Sequence, residues 1–355
     1  MNLELIGFLH DLITQPALLI TAVLVVGVIL VNGWTDAPNA IATCVSTRSI
    51  SPRNAVIMAA VFNFLGVLVM TLINRKVAET IYNMVDFGKV TSGVENPAMI
   101  ALCAALFGIV VWATAAWYFG IPTSESHALI AGLSGSAIAM GGISAINFNE
   151  WVKVLYGLGL SSVLGFGLGY VVVKFVGFSC KSMTNQKADK VFGGAQVAGG
   201  AAMAFMHGAQ DGQKFIGVFI LGMFIAGGSG DTQQITSVPF WLIIFVSLIM
   251  GLGTSIGGYK IIKAVGMDMV KLKKYQGFSA DLAASLCLLF SSVTGIPVST
   301  THTKTTSMMG VAAAKRMSAV NWGVVKEMVA AWILTFPGCG LLSFIITTLA
   351  VHIFS

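Results

Sequence analysis

Gly120-Ile121-Pro122-Thr123-Ser124-Glu125-Ser126-His127 returns as Gly295-Ile296-Pro297-Val298-Ser299-Thr300-Thr301-His302, with His127 and His302 standing 175 residues apart (302 less 127). The same step joins Gly33 to Gly208 and Asp36 to Asp211. These belong to a second pair of stretches, Asn32-Gly33-Trp34-Thr35-Asp36-Ala37-Pro38-Asn39 and His207-Gly208-Ala209-Gln210-Asp211-Gly212-Gln213-Lys214. Two motifs far apart within each half keep one offset, so the chain carries an internal duplication whose matched positions are polar. Many membrane transporters build a central site from duplicated polar motifs of this kind.

The surroundings of the motifs decide the solvent. Of 355 residues, 56% are hydrophobic and 10% charged, and the mean hydropathy is +0.87; a soluble domain carries about 25% charged residues. Apolar runs at Pro16 to Val31, Ala55 to Ile73, Ala98 to Phe119, Val154 to Val173, Val238 to Leu252 and Met328 to Ile353 are mostly near the ~20 residues that a tilted membrane helix needs. They lack the polar alternation of barrel strands. The stretch before the first run holds Glu4 and Asp11 and no Lys or Arg, so that run reads as a mature helix and not as a cleaved signal. Cys44, Cys103, Cys180, Cys287 and Cys339 stand singly, without the spacing of a zinc or redox pair, and read as packing residues.

Net charge is +6, and the positive residues follow particular loops instead of forming a nucleic-acid face. Arg48, Arg53, Lys174, Lys181, Lys187, Lys190, Lys260, Lys263, Lys271, Lys273, Lys274, Lys315 and Arg316 mark connections expected in the cytoplasm. Thr71 to Pro97 and Gly227 to Ser237 hold only Arg75, Lys76 and Lys89, balanced by Glu79, Asp86, Glu95 and Asp231, and are expected to face outward. Each half then crosses the membrane an odd number of times, which inverts the second copy. Both termini of this multi-pass protein of the cytoplasmic membrane are expected outside. The expected fold is all-α and integral to the membrane, a polytopic helical transporter with two inverted-topology repeats and interrupted or re-entrant helices. Residues 1–178 form the first repeat, 179–195 a cytoplasmic linker and 196–355 the second repeat.

Gly33, Asp36 and Pro38 interrupt an apolar helix, since proline removes a backbone donor and clashes with the preceding turn. Freed carbonyls and the carboxylate suit a small cation. The second copy keeps the Gly-x-x-Asp frame, with Lys214 at the position of Asn39, and is expected to interrupt its helix too. Asp211 and Lys214 share a helical face, as a structural ion pair or as a charge switched by an anion. The Pro-Ser motifs read as helix N-termini opening inside the membrane, whose free N–H groups and partial positive charge suit phosphate or sulfate. Lys304 is placed to snorkel toward the inner side. His127 and His302 read as hydrogen-bonded helix anchors in preference to proton carriers. Gly132 with Ser136 and Gly165 with Gly169 are small pairs suited to helix packing.

Gly33-x-x-Asp36-x-x-Asn39-Ala40-x-Ala42-Thr43, His207-Gly208-x-x-Asp211-Gly212-Gln213-Lys214, Pro122-Thr123-Ser124-x-Ser126-His127-Ala128-Leu129 and Pro297-Val298-Ser299-Thr300-Thr301-His302-x-Lys304-Thr305 resemble, in order and over nearly the whole chain, the inorganic phosphate transporter (PiT) family, in its compact bacterial type. The resemblance implies cation-coupled symport of inorganic phosphate by alternating access, in the lipid membrane and as a homodimer. No cofactor is implied beyond a sodium ion or proton as coupling ion. It makes Asp36 and Asp211 the coupling carboxylates, ligating sodium if sodium is the ion, with Asn39 and Thr43 assisting. Ser124, Ser126, Ser299, Thr300 and Thr301 become phosphate contacts, and Lys214 is assigned with them. Departures from the family pattern are Thr35 and Gln210 before the two aspartates, Pro38, and Glu125 within the serine run. Alternatives are a permease for sulfate or another tetrahedral oxyanion, or a proton-coupled metal-phosphate symporter. An intramembrane hydrolase using Ser124 and His127 needs one copy and not two inverted ones, so an enzyme is not expected; a channel needs a continuous polar lining.

Overall fold

A short helix, α1 (Leu5–Thr14), leads into α2 (Pro16–Thr35), and Asp36 alone separates α2 from α3 (Ala37–Ser46). Pro38 stands in the first turn of α3, where a missing N–H costs least, so α3 restarts just past the break. Ser51 caps α4 (Pro52–Ile73), and α5 (Lys76–Asn83) follows. Then come α6 (Pro97–Phe119), α7 (Glu125–Gly141), α8 (Phe148–Ser179), α9 (Asn185–Ala226), α10 (Phe240–Ile256), α11 (Tyr259–Lys263), α12 (Lys274–Thr294), α13 (Thr300–Ala313) and α14 (Trp322–Phe354). This computed structural model describes residues 4–87, 96–121, 123–227, 238–256 and 258–354. Pro122 of the second motif, and Lys89, Glu95 and Asp231 of the outward connections, lie outside the described residues.

The described residues are almost wholly helical, with two isolated bridges, Val85 to Ile146 and Val270 to Val320. Among the described residues, seven stretches are long and apolar enough to cross a membrane, or up to eight if α10 and the bent segment after it count as one. Val163 (71% exposed), Phe175 (69%) and Ile333 (65%) show the apolar outer surface that hydrocarbon requires. At 42 residues α9 is about 63 Å long at 1.5 Å per residue, ample for a crossing despite its polar middle.

The duplication in the sequence reappears in element boundaries. Phe119 ends α6 and Thr294 ends α12, each followed by a glycine in the left-handed region, Gly120 at φ 71° and Gly295 at φ 76°. Ser124 caps α7 and Ser299 caps α13, each accepting the N–H of the histidine three residues on, at 3.4 and 3.1 Å. Packing is crossed between the halves: α7 lies against α14 and α13 against α8, while α4 lies against α9 and α10 against α2.

Two expectations need correction. The second Gly-x-x-Asp motif does not break its helix, because α9 runs unbroken from Asn185 to Ala226. The position matching Pro38 is Gln213, which keeps its backbone N–H, so nothing stops the helix there. Moreover α12 crosses although no apolar run marked it, because Ser279, Asp281 and Ser285 interrupt its hydropathy while being buried inside the bundle. The helix of α9 also takes in residues 185–195, leaving 180–184 between α8 and α9.

Small residues set the closest approaches. A Cβ on Gly165 would lie 2.9 Å from the Thr303 carbonyl oxygen, and one on Gly169 would lie 3.0 Å from Ser307 backbone atoms, both at the α8–α13 contact. Gly177, farther along α8, has nothing within 4 Å of such a Cβ. Gly169→Val is therefore expected to cost about 1–3 kcal/mol or more from overpacking, read as a fall in thermal unfolding temperature in detergent. Gly177→Ala leaves that temperature within a degree or so.

Candidate functional site

The break between α2 and α3 delivers Asp36 to the start of α7, where its Oδ2 accepts the Glu125 N–H at 3.2 Å. A carboxylate thus sits where a helix N-terminus attracts an anion. Asp211, from the middle of α9, reaches the same region and is more densely held. Its Oδ1 accepts from Lys214 Nζ at 2.6 Å and Ser126 Oγ at 3.4 Å, and its Oδ2 accepts from Asn32 Nδ2 at 3.2 Å and Thr300 Oγ1 at 3.2 Å. His207 Nε2 lies 3.2 Å from the same Oδ2, and its Nδ1 is 2.9 Å from Asn63 Oδ1. Lys214 Nζ also donates to Ser126 Oγ at 2.6 Å and to the Val298 carbonyl at 2.7 Å. Asn39 Nδ2 donates to Thr301 Oγ1 at 2.9 Å.

These side chains come from α2, the break at Asp36, α3, α4, α7, α9 and α13, and all are buried. Asp36, Asn39, Ser124, Ser126, Asp211, Lys214, Ser299, Thr300 and Thr301 meet around the starts of α7 and α13. The residues assigned to cation and to anion form one interlocked group, since Ser126 and Thr300 donate to Asp211 itself. Ser124 and Ser299 use their oxygens as helix caps, which leaves each hydroxyl hydrogen able to donate. Among the described residues, Asn32 Oδ1, Asn39 Oδ1 and Gln210 Oε1 are buried oxygens without a hydrogen-bond partner. Such acceptors are costly unless a donor or cation uses them. No three His, Cys, Asp or Glu side chains gather as a metal site among the described residues. A cation at Asp36 or Asp211 would therefore draw on amide, hydroxyl and backbone oxygens.

Thr43 lies elsewhere. It donates to both oxygens of Asp281 at 2.9 Å, and Lys304 Nζ bonds Asp281, Thr43 Oγ1 at 3.0 Å and the Ala40 carbonyl at 3.4 Å. Gln196 Nε2 completes the cluster on Asp281 at 2.6 Å. Lys304 is thus fully buried in an ion pair and does not snorkel. Along α3 the central group comes first, at Asp36 and Asn39, and the Thr43 cluster follows one turn on. At the end of α3 and just past it, Ser46, Thr47 and Arg48 line a cavity of about 840 Å³ shared with Lys181, Lys273 and Lys274.

His127 and His302 also depart from expectation. Neither ring nitrogen of His302, nor Nδ1 of His127, has a hydrogen-bond partner among the described residues. The two rings meet edge to face at 4.3 Å and are backed by Phe336 on His127 and Trp332 on His302. They anchor the two helix starts by ring packing.

Asp281, Gln196 and His207 were not singled out from the sequence as site residues. Asp281 carried one signal, an ionisable residue inside a membrane helix. It was hidden because its counterpart 175 residues earlier is Leu106, so the duplication does not repeat it.

A polytopic helical bundle with a buried polar group at the meeting of a broken helix and two helix N-termini is the architecture of a membrane transporter. The profile of the phosphate transporter family, PHO4, matches residues 32–188 and 178–343, and the chain belongs to that family. A probable low-affinity inorganic phosphate transporter of Bacillus subtilis is 36% identical over 86% of this chain and 89% of its own length. One from Rhizobium meliloti is 38% identical over 88% of this chain and 90% of its own. The solved structure of a sodium-dependent phosphate transporter superposes with a TM-score of 0.85, covering 94% of this chain and 99% of its own at 22% identity, so the fold is shared.

Removing one partner of a buried ion pair costs about 3–5 kcal/mol, whereas replacing both by apolar groups is often near neutral. Asp281→Leu and Lys304→Met are each expected to lower the unfolding temperature strongly. The double variant returns most of the loss; additive losses would show that the pair is not a unit.

Proposed function

We propose that this protein is a cation-coupled symporter of inorganic phosphate, working by alternating access between two inverted repeats. The observation that carries the reading is where the two carboxylates sit. Asp36 occupies the N-terminal N–H of α7, and Asp211 occupies the hydroxyls of Ser126 and Thr300. These are the donors that a tetrahedral oxyanion would use, together with Thr301 and the cap hydroxyls of Ser124 and Ser299. Asp211 is paired with Lys214, whereas Asp36 has no basic hydrogen-bond partner among the described residues, and in a low-dielectric site a phosphate cannot join an uncompensated carboxylate. A cation, either sodium or a proton, that neutralises Asp36 releases its donor and removes the repulsion at the same time. Coupling then follows from charge balance. A phosphate that still carries a proton can donate it to a carboxylate oxygen, which fully deprotonated sulfate cannot do.

Support for inversion comes from the turns ahead of the two half-length helices. At the end of α6, the Tyr118 carbonyl accepts from Lys260, on the basic side. At the corresponding end of α12, Gly295 O accepts from Thr80 and Val293 O from Asn74, in the connection with few positive charges. Corresponding turns on opposite sides, with crossed packing of α7 on α14 and α13 on α8, are what a two-fold axis in the membrane plane produces. With the basic loops read as cytoplasmic, both chain ends face outward.

The test is radiolabelled phosphate uptake into proteoliposomes under an imposed sodium or pH gradient, with unlabelled sulfate as competitor. Gradient-driven, sulfate-resistant uptake is expected. Asp36→Asn should abolish it in a protein that remains monodisperse, and Ser126→Ala or Thr300→Ala should raise the KM for phosphate about tenfold, the worth of one or two charge-assisted hydrogen bonds. Uptake of sulfate in place of phosphate would overturn the substrate assignment.

A further inference from the structure

Comparing the site with itself shows a difference between its two copies. A step of 175 relates Asp36 to Asp211, Glu125 to Thr300, Ser126 to Thr301 and Asn39 to Lys214. The contacts obey the same relation. Asp36 accepts the Glu125 backbone N–H and Asp211 the Thr300 hydroxyl; the Asn39 amide reaches across to the Thr301 hydroxyl, and the Lys214 ammonium reaches across to the Ser126 hydroxyl. The crossing contact is built twice, with an amide in the first copy where the second has a cation.

The surroundings of that cation are distinctive. Lys214 Nζ is held by a carboxylate oxygen of Asp211 at 2.6 Å, a hydroxyl of Ser126 at 2.6 Å and the backbone carbonyl of Val298 at 2.7 Å. Val298 lies in the irregular segment before α13, so its carbonyl is outside any helical ladder. Carboxylate, hydroxyl and freed carbonyl form the all-oxygen donor set that a desolvated monovalent cation takes in a broken-helix site. All three ammonium hydrogens are used, leaving none to donate to a phosphate. Near Asp36, by contrast, no basic side chain is hydrogen-bonded to the carboxylate among the described residues. Asn39, in the first turn past Asp36, keeps a buried Oδ1 without a hydrogen-bond partner.

We propose that Lys214 is a tethered cation that fills the second of two equivalent cation positions, so that only the Asp36 position exchanges a coupling ion. The inference rests on the symport reading and specifies its coupling sites. Asp211 is permanently neutralised by a charge that cannot leave, and Asp36 alone changes its charge state during transport. Lys214 acts on phosphate through Asp211 and Ser126, as a positioning residue.

The experiment is equilibrium binding of radiolabelled sodium to the purified full-length protein without phosphate, comparing wild type with Lys214→Asn, which installs the first-copy residue, and Lys214→Gln. At least one of these variants is expected to bind one more sodium ion per protomer than wild type, and the added Asp211→Asn substitution should abolish the gain. Sodium counts unchanged from wild type in both monodisperse variants would overturn the proposal. So would a gain that survives Asp211→Asn, or a loss of phosphate affinity with no gain of sodium. Phosphate uptake by the wild-type protein is scored separately, so failure of the symport reading shows there and failure of the tethered cation shows in the sodium count.

Discussion

Everything in the core of this protein answers to the cost of keeping Asp36 and Asp211 away from water in the middle of a membrane. A single ionised side chain at the bilayer centre costs roughly 2.5–3.5 kcal/mol on insertion scales, and two like charges in one low-dielectric group add repulsion. The structure offsets this with donors from four helices: a helix N-terminus on Asp36, and an ammonium, an amide and two hydroxyls on Asp211. The α7 N–H and the hydroxyls of Ser126 and Thr300 are also donors that a phosphate oxygen could use. On the proposed symport reading, the interaction that stabilises the resting site competes with phosphate, and a cation decides which anion holds the donors.

The duplicated architecture makes such a site possible at low cost in sequence. Each half supplies an aspartate and one capped helix start, the first half adding the buried carboxylate of Glu125, and each half's amide or ammonium reaches across to the other half's hydroxyl. A contact of this crossed kind ties the relative position of the halves to the state of the site, which alternating access requires. Close approaches at Gly165 and Gly169 on the α8–α13 contact, matched by Gly135 against Gly340 on the α7–α14 contact, let the half-length helices pack without filler side chains. Symmetry is broken where Thr43, Asp281, Lys304 and Gln196 form a buried polar cluster beside the basic cavity. The positions matching Asp281, Lys304 and Thr43 are Leu106, Leu129 and Val218, all in the apolar core.

Much of this was legible because duplication amplifies it. One aspartate in an apolar helix is a weak signal; Asp36 and Asp211 at one offset, with capped serines at the same offset, point to a shared site. The helix break at Pro38 followed from proline chemistry, and the same chemistry explains why the matching motif, with Gln213 in that place, stays helical. What duplication does not repeat was hard to read. Asp281 lacks a counterpart and sits in a helix whose serines mask its membrane character, and Lys304 finds its partner only in three dimensions. Sequence also divided cation ligands from anion ligands, and folding mixes them: Ser126 and Thr300 serve Asp211, while Thr43 leaves the group for Asp281. A residue's type names the ligands it can take; which of them it takes depends on the neighbours that folding brings.

The central claim is that carboxylate charge withholds the phosphate donors until a cation neutralises it. Equilibrium binding of radiolabelled phosphate to purified wild type and Asp36→Asn, each across a range of sodium concentration and pH, addresses it directly. Wild type should bind phosphate only when the coupling cation is supplied, and Asp36→Asn should bind phosphate with little dependence on either cation. An Asp36→Asn protein that is folded yet needs the cation as much as wild type does would contradict the account.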